Sequence, residues 1–212
     1  ADRVLGKPIF DYFPTDREES EIFNAAMISM TAMVIPATLE AYDFSGIGTL
    51  VDVAGGHGSV LTGILEKHPQ MRGILFDLEH VVAGAKPRLE RLGLAGRVQL
   101  ASGDFFQSVP AGGDAFVMKH IIHDWDDARA LTILQNCRKA SPKAKVILLE
   151  AVLPSGNDPH FGKLLDLEML TLPGGRERTE DEFRSLFAKA GYRLARVVPT
   201  KSPLSVVEAA PA

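Results

Sequence analysis

The chain reads as an α/β protein with a doubly wound, Rossmann-like sheet of seven strands. Three observations predict it. From residue 49 onward, short apolar runs alternate with segments of helical spacing. One glycine-rich turn, Asp52-Val53-Ala54-Gly55-Gly56-His57-Gly58, joins such a run to such a helix. The last two apolar runs, 192–198 and 204–208, follow each other without an intervening helix, which sets an antiparallel pair at the sheet edge.

Residues 1–44 precede this pattern as a helical segment, and 45–212 form the sheet domain. Thr15-Asp16-Arg17-Glu18 fits a capping box, so a helix is predicted from Asp16 to Tyr42, running on or breaking near Pro36. Its Ile22, Phe23, Met27, Met30, Met33, Val34 and Leu39 exceed one stripe, which predicts apolar surface for a partner. A strand over 49–54 leads into a helix over 59–68 (Val60, Leu61, Ile64, Leu65) that stops before Pro69. Strand 73–76 meets Asp77; a short helix covers 80–85, and another opens at Pro87 and is closed by Gly93. Strands follow at 97–101 and 114–118, then a helix over 126–140 and a strand over 145–149 that ends in Glu150. After the loop 154–159 comes an apolar helix over 161–172. Thr179-Glu180-Asp181-Glu182 forms a second capping box before Phe183, Leu186, Phe187 and Ala190, and Gly191 closes that helix.

The totals narrow the function classes. A chain of 212 residues with 24% charged residues and a net charge of −4 has no basic block dense enough to follow phosphates, which argues against nucleic acid. The single cysteine, Cys137, excludes an internal disulfide and falls beside Ile133 and Leu134 on an apolar helix face, as an inert buried thiol would. The most apolar run, 25–39, is interrupted by Ser29, Thr31, Pro36 and Thr38, which predicts no membrane span and fits a cytoplasmic protein. The chain opens on Ala1 with no initiator Met, as expected of a fragment.

Two stretches carry chemistry. A nicotinamide dinucleotide turn needs G-x-G-x-x-G/A, but Gly56-His57-Gly58-Ser59-Val60-Leu61 puts a bulky Leu at the last position, which argues against an NAD(P)-dependent oxidoreductase. Asp77, at the end of the next strand, has the spacing for a ribose diol, and Asp104-Phe105 after the third offers a carboxylate and a ring face to adenine. A tight turn without ligand is the plainer alternative. The second stretch, Val117 to Trp125, is a strand that ends in Lys119, His120, His123 and Asp124, and His is the side chain best suited to move a proton near neutral pH. His123-Asp124 could instead be a loop ion pair, and His120-x-x-His123 half of a zinc site. Third and fourth ligands at suitable spacing are lacking, so no metal is expected.

Over nearly its whole length the chain resembles the class I S-adenosylmethionine-dependent O-methyltransferases of the caffeate, flavonoid and acetylserotonin type. The likeness runs through Phe23-Asn24-x-x-Met27, Leu50-Val51-Asp52-Val53-x-Gly55-Gly56-x-Gly58, Phe76-Asp77-Leu78 and Gly103-Asp104-Phe105-Phe106. It continues in Met118-Lys119-x-x-x-His123-Asp124-Trp125 and Gly174-Gly175-x-Glu177-Arg178-Thr179. The resemblance implies that Gly55, Gly56, Gly58, Asp77, Asp104, Phe105 and Lys119 hold S-adenosylmethionine. It implies His123 as general base between Glu150 and Glu177, without a metal. It places Phe23, Asn24, Met27, Asp124 and Met169 near a small hydroxylated aromatic acceptor; Asp166 could bind an acceptor hydroxyl or a structural network. It also implies a homodimer built through an upstream winged-helix domain, absent from this chain. Ala54 departs from the pattern, where a third Gly is usual. A module that binds the cofactor without catalysis is the remaining alternative, which retention of His123, Glu150 and Glu177 opposes.

Overall fold

The computed structural model describes residues 2–212. Three helices come first: α1 (Asp2–Leu5), α2 (Ile9–Tyr12) and α3 (Arg17–Ala41). Then β1 (Thr49–Val53), α4 (Ser59–Lys67), β2 (Arg72–Asp77), α5 (Glu79–Val82), α6 (Lys86–Arg91), β3 (Val98–Ser102) and β4 (Ala115–Lys119) alternate. The chain continues with α7 (Asp127–Ala140), β5 (Lys145–Glu150), β6 (Val152–Leu153), α8 (Phe161–Thr171), β7 (Arg178–Thr179) and α9 (Glu180–Lys189). It closes with β8 (Tyr192–Pro199) and β9 (Ser205–Pro211).

The seven-stranded sheet has the order β3-β2-β1-β4-β5-β9-β8, parallel except for β9, which runs antiparallel to both β5 and β8. This is the expected architecture. The central strands are buried on both faces, so they read as continuous apolar runs. Along β4, Ala115 and Val117 enter one core with Leu61, Ile64 and Ile147, while Phe116 and Met118 enter the other with Ile133, Leu148 and Phe187. Strand order reverses between β1 and β4, and the crevice at such a switch point is where ligands collect. Cys137 is fully buried, and burial pushes its thiol up from its usual range, as an inert core residue requires.

Leu61, the bulky residue of the glycine turn, is accommodated by the neighbouring strand. A Cβ on Gly73 would come within 2.8 Å of both Leu61 methyls, so β2 gives the clearance that a small residue on the helix would otherwise provide.

Two readings at the N-terminus are corrected, the cap of α3 and its length against a membrane. The cap of α3 is Asp16, whose carboxylate accepts from Glu19 N at 3.2 Å, because a 3₁₀ turn over Phe13–Thr15 has already engaged Thr15 with the Tyr12 carbonyl. The helix runs through Pro36 to Ala41; Pro36 and Ala32 both face water, which satisfies the carbonyl that Pro36 cannot engage. At 25 residues α3 is also long and apolar enough to cross a membrane, by length and composition alone, where the run 25–39 was not. The expected apolar surface is present on it at Ile22 and Met33, and α8 adds Leu164, Leu167 and Leu170. The second capping box forms as predicted, with Glu182 N donating to Thr179 Oγ1 and Thr179 N to Glu182 Oε2.

Sequence patterning misses the two-residue parallel pair β6–β7, which registers Val152 with Arg178 and Leu153 with Thr179. It positions the site, because β6 lies just beyond Glu150 and β7 just beyond Glu177. The segment before β7 also holds the 3₁₀ turn Ile122–Asp124 that carries His123. Arg176 N donates to the His123 carbonyl at 2.8 Å. Arg178, 1% exposed, donates to the carbonyls of Ile122 and Trp125 at 2.9 Å each and to Asp127 Oδ1 at 2.8 Å. A buried guanidinium satisfied in this way fixes the turn from behind. Gly175 lies so close that a Cβ there would sit 2.0 Å from the His123 carbonyl oxygen and 2.4 Å from the Asp124 carbonyl carbon. Both obstacles are backbone. Gly175→Ala should therefore cost about 1–3 kcal/mol of stability, the range for overpacking a tight interior. Urea unfolding of the variant tests this; an unchanged midpoint would show that the turn yields freely.

Candidate active site

One end of the site is built by the ends of β1, β2 and β3. Ala54 leaves β1 with φ 54°, a left-handed conformation that costs a residue with a Cβ about 1–2 kcal/mol and explains why Gly is usual there. A Cβ on Gly55 would lie 2.5 Å from both Leu75 Cδ1 and Asp52 Cγ, so the chain passes flat against β2. Gly56, at φ 58°, has nothing within 4 Å of a built Cβ, so its backbone borders open space. Asp77 ties the turn down: one oxygen accepts from Gly56 N and the other from Leu78 N, each at 2.7 Å. Asp104 Oδ1 accepts from Phe106 N at 2.8 Å, which sets the direction of the following aromatic pair. Burial raises the pKa of Asp77, carries that of Asp52 to about 7 and lowers that of Lys119.

These groups border a cavity of about 380 Å³, within the ~300–1,000 Å³ of small-molecule sites. Its walls include Gly55, Gly56, Asp77, Asp104, Phe105 and Lys119 on the sheet side, and Phe23, Asn24, Met27 and Asp124 on the other. Gly58 caps α4 at φ 77° beside Leu75 and does not line it. Met169, expected near the acceptor, instead packs in the core with Leu165, 7% exposed, and does not line the cavity either. Sequence reasoning overlooked Phe10 and Phe13. Phe13 stacks on Phe23 with centroids 4.6 Å apart, and Phe10 lies 5.6 Å from Trp125, which meets Phe106 edge-on at 4.8 Å. This aromatic wall joins the N-terminal segment to the ends of β3 and β4. Phe10 and Phe13, each set near a proline, were the available signal.

Behind the cavity lies His123, 4% exposed. Its Nδ1 is 2.6 Å from Glu177 Oε1 and 3.7 Å from Glu150 Oε2, and its Nε2 is 3.5 Å from Asp124 Oδ1. An ionised carboxylate only accepts, so Nδ1 carries the proton. Glu150 Oε1 accepts from the amides of Ile121 and Ile122 at 3.1 and 3.0 Å, and Glu177 N donates to Asp166 Oδ1 at 2.8 Å. Asp166 thus belongs to the supporting network. Burial works against charge on His123, but Glu150, Glu177 and Asp124 outweigh it and push its pKa up to about 9. Burial in turn raises Glu150 and brings Asp124 to about 7.

The fold also gathers what spacing along the chain concealed. His120, His123 and Glu150 bring one donor atom each to within 4.8 Å of one another, so the third group that the sequence lacked is present in space. His120 is 7% exposed and left-handed at φ 55°, and it lines the cavity that His123, Glu150 and Glu177 do not.

Comparison with known proteins identifies the family. Residues 2–193 match the family described as the O-methyltransferase domain. The phenazine O-methyltransferase PhzM of Lysobacter antibioticus is 46% identical over 211 residues, covering 99% of this chain and 62% of that protein. The O-demethylpuromycin-O-methyltransferase of Streptomyces alboniger is 40% identical, covering 99% of this chain and 58% of its own length. This chain therefore spans about three fifths of these relatives. Among solved structures, LaPhzM superposes with a TM-score of 0.96 at 46% identity, covering all of this chain and 64% of that one. The O-methyltransferase NcsB1, in complex with S-adenosyl-L-homocysteine and 1,4-dihydroxy-2-naphthoic acid, superposes at 0.92 with 33% identity, covering all of this chain and 63% of that one. The chain belongs to the O-methyltransferase domain family.

Proposed function

We propose that this chain is the donor-binding, catalytic part of an enzyme that moves the methyl group of S-adenosylmethionine to a hydroxyl of a small aromatic molecule, with His123 as general base. The observation that carries the reading is His123 fixed at 2.6 Å from a buried carboxylate, behind a cavity with a glycine turn at one side and an aromatic wall at the other. Relatives named for phenazine and puromycin precursors, and one solved with a dihydroxynaphthoic acid, support an aromatic acceptor.

The residues fit the donor. Gly56 presents bare backbone to the cavity, Asp77 suits ribose hydroxyls, Asp104 and Phe105 suit adenine, and Lys119 suits the donor's carboxylate. When bound, S-adenosylmethionine supplies a methyl on a sulfonium that leaves as a neutral thioether. Phe23, Asn24, Met27 and Asp124 form the acceptor's side. Residues 1–44 contribute that wall and 45–212 the donor site, so α3 acts here as a cavity wall and not as a membrane span. With the remaining length of its relatives, the enzyme is a cytoplasmic homodimer.

The base acts by its basicity. Moving a proton from a phenol of pKa ~10 to an ordinary imidazole of ~6.5 is uphill by roughly 5 kcal/mol. With His123 at about 9 the same transfer is uphill by only about 1.4 kcal/mol. Glu177 on Nδ1 leaves Nε2 as the accepting atom and stabilises the imidazolium that forms. No metal is needed, because a sulfonium requires no Lewis acid, only alignment.

Three measurements test this in the full-length enzyme. Asp77→Ala should weaken S-adenosylhomocysteine binding by about 10–100-fold, the worth of a charge-assisted pair plus an untied Gly56 turn; calorimetry showing unchanged affinity would remove Asp77 from the donor site. The free base is the active form, so kcat/KM should climb as pH rises toward about 9. Glu177→Gln removes an anion that favours the imidazolium, so that rise should move to lower pH while the plateau falls; an unmoved profile would deny His123 the role. Dialysis against a strong chelator should leave turnover intact, and loss restored by a divalent ion would overturn the metal-free mechanism.

A further inference from the structure

Glu177 is the carboxylate nearest to His123, yet its own bonds fix it weakly. Its Oε1 lies 2.6 Å from His123 Nδ1, while its Oε2 is buried without a hydrogen-bond partner. A carboxylate held at one oxygen can swing, so its place depends on the backbone that carries it. That backbone is a loop. Residues 172–177 join α8 to β7, and Gly174 bends the path at φ 82°.

The loop is tied on two sides. Toward α8, the Met169 carbonyl accepts from Gly174 N at 2.9 Å and from Gly175 N at 3.1 Å, and Asp166 Oδ1 accepts from Glu177 N at 2.8 Å. Toward the base, Arg176 N donates to the His123 carbonyl and the Glu177 side chain meets the imidazole. Of these ties, the one from Asp166 acts on the backbone of Glu177 itself. The sequence left Asp166 open between an acceptor hydroxyl and a structural network. No residue of α8 lines the cavity, so Asp166 acts on an acceptor only through other residues. A partly buried carboxylate is thus engaged by the amide of the residue that orients the imidazole.

We propose that Asp166 is a positioning residue of the methyl transfer: it holds the Glu177 amide, keeps the Glu177 carboxylate on His123 Nδ1, and so lets α8 govern the base from outside the cavity. The proposal rests on the methyl-transfer reading above. Its effect is geometric, and a displacement of about 1 Å in a group that orients the chemistry can cost ~10²-fold in rate. It also has an electrostatic consequence with a definite sign. Burial works against charge on His123, but Glu150 and the hydrogen bond from Glu177 outweigh it and push its pKa up to about 9. A Glu177 carboxylate drawn away from Nδ1 favours the imidazolium less, so that pKa falls.

The decisive variant is Asp166→Ala in the full-length enzyme, which removes the acceptor of Glu177 N. With a phenolic acceptor turned over by the wild type, kcat should fall about 10–100-fold, while the acceptor KM and S-adenosylhomocysteine affinity stay within about three-fold. The rise of kcat/KM with pH should move to lower pH. Asp166→Asn keeps an oxygen for the amide and should retain the wild-type profile. A rise in KM alone would make Asp166 an acceptor ligand, and a fall in kcat with an unmoved pH profile would make it merely structural. An Asn variant as slow as the Ala variant would show that the amide bond is not the cause. Each of these overturns the proposal. Two measurements need no acceptor. ¹⁵N NMR should find His123 titrating at lower pH in Asp166→Ala than in the wild type, and an equal midpoint overturns the positioning role even if the enzyme methylates normally. In the wild type alone, the Glu177 amide should be protected from hydrogen exchange, and free exchange overturns the role whether or not Asp166→Ala folds. Absence of methyl transfer and of S-adenosylhomocysteine binding in the wild type would instead defeat the underlying reading.

Discussion

A charged imidazole buried among carboxylates is the constraint on which this site depends. His123 is 4% exposed, and Glu150 and Glu177 are fully enclosed. Charges taken out of water are costly unless each remaining lone pair and proton finds a partner. The surrounding chain meets that condition in part, since Glu150 Oε2 and Glu177 Oε2 have no hydrogen-bond partner. Glu150 is held by two amides from the turn before His123, and Glu177 by an amide–carboxylate bond to Asp166. Arg178 occupies the turn's carbonyls, and Gly175 lets the two segments approach to backbone contact. The β6–β7 pair sets the register that puts Glu150 and Glu177 on the same imidazole nitrogen. Removing one support would leave a buried charge unpaired, so these residues act as a set.

The glycine-turn end of the cavity is arranged on a different principle. There the chain minimises side chain and maximises backbone contact. Ala54 and Gly56 adopt positive φ, Gly55 lies against Leu75, and Asp77 holds the Gly56 amide. Asp77 spends one lone pair of each oxygen on the Gly56 and Leu78 amides and so fixes the shape of the loop. Leu61 fits under the turn only because Gly73 of β2 has no side chain there. Helix and strand thus divide a clearance that a small residue on the helix would otherwise supply alone.

The sheet was legible because its signals are local. Apolar runs such as Val146 to Leu149 mark doubly buried strands, and Thr179 with Glu182 marks a helix start. His123, Glu150 and Asp77 announced themselves by standing at strand ends. What remained hidden depends on distance in space. Nothing near Arg178 in sequence reveals that its guanidinium reaches Ile122 and Trp125. Glu150 joins His120 and His123 only through the pairing of β4 with β5. Thr15 misled because two adjacent residues could cap, and the 3₁₀ turn ahead of the helix decided between them. Met169 misled because a helical Met suits a pocket and a core equally, and it faces the core.

In the proposed reaction, the raised basicity of His123 sets opposing demands on the enzyme. A pKa of about 9 brings the base close to a phenol's ~10, but it leaves only about one molecule in a hundred in the free-base form at pH 7. Weakening the carboxylates would increase that fraction and make each proton transfer steeper by the same factor, so the product changes little while the imidazolium loses its counterions. The gain from holding the charge deep therefore lies elsewhere. It keeps the charge formed in the reaction behind the cavity wall, away from a departing methyl donor that itself begins positive. Three carboxylates around one imidazole follow from that electrostatic requirement.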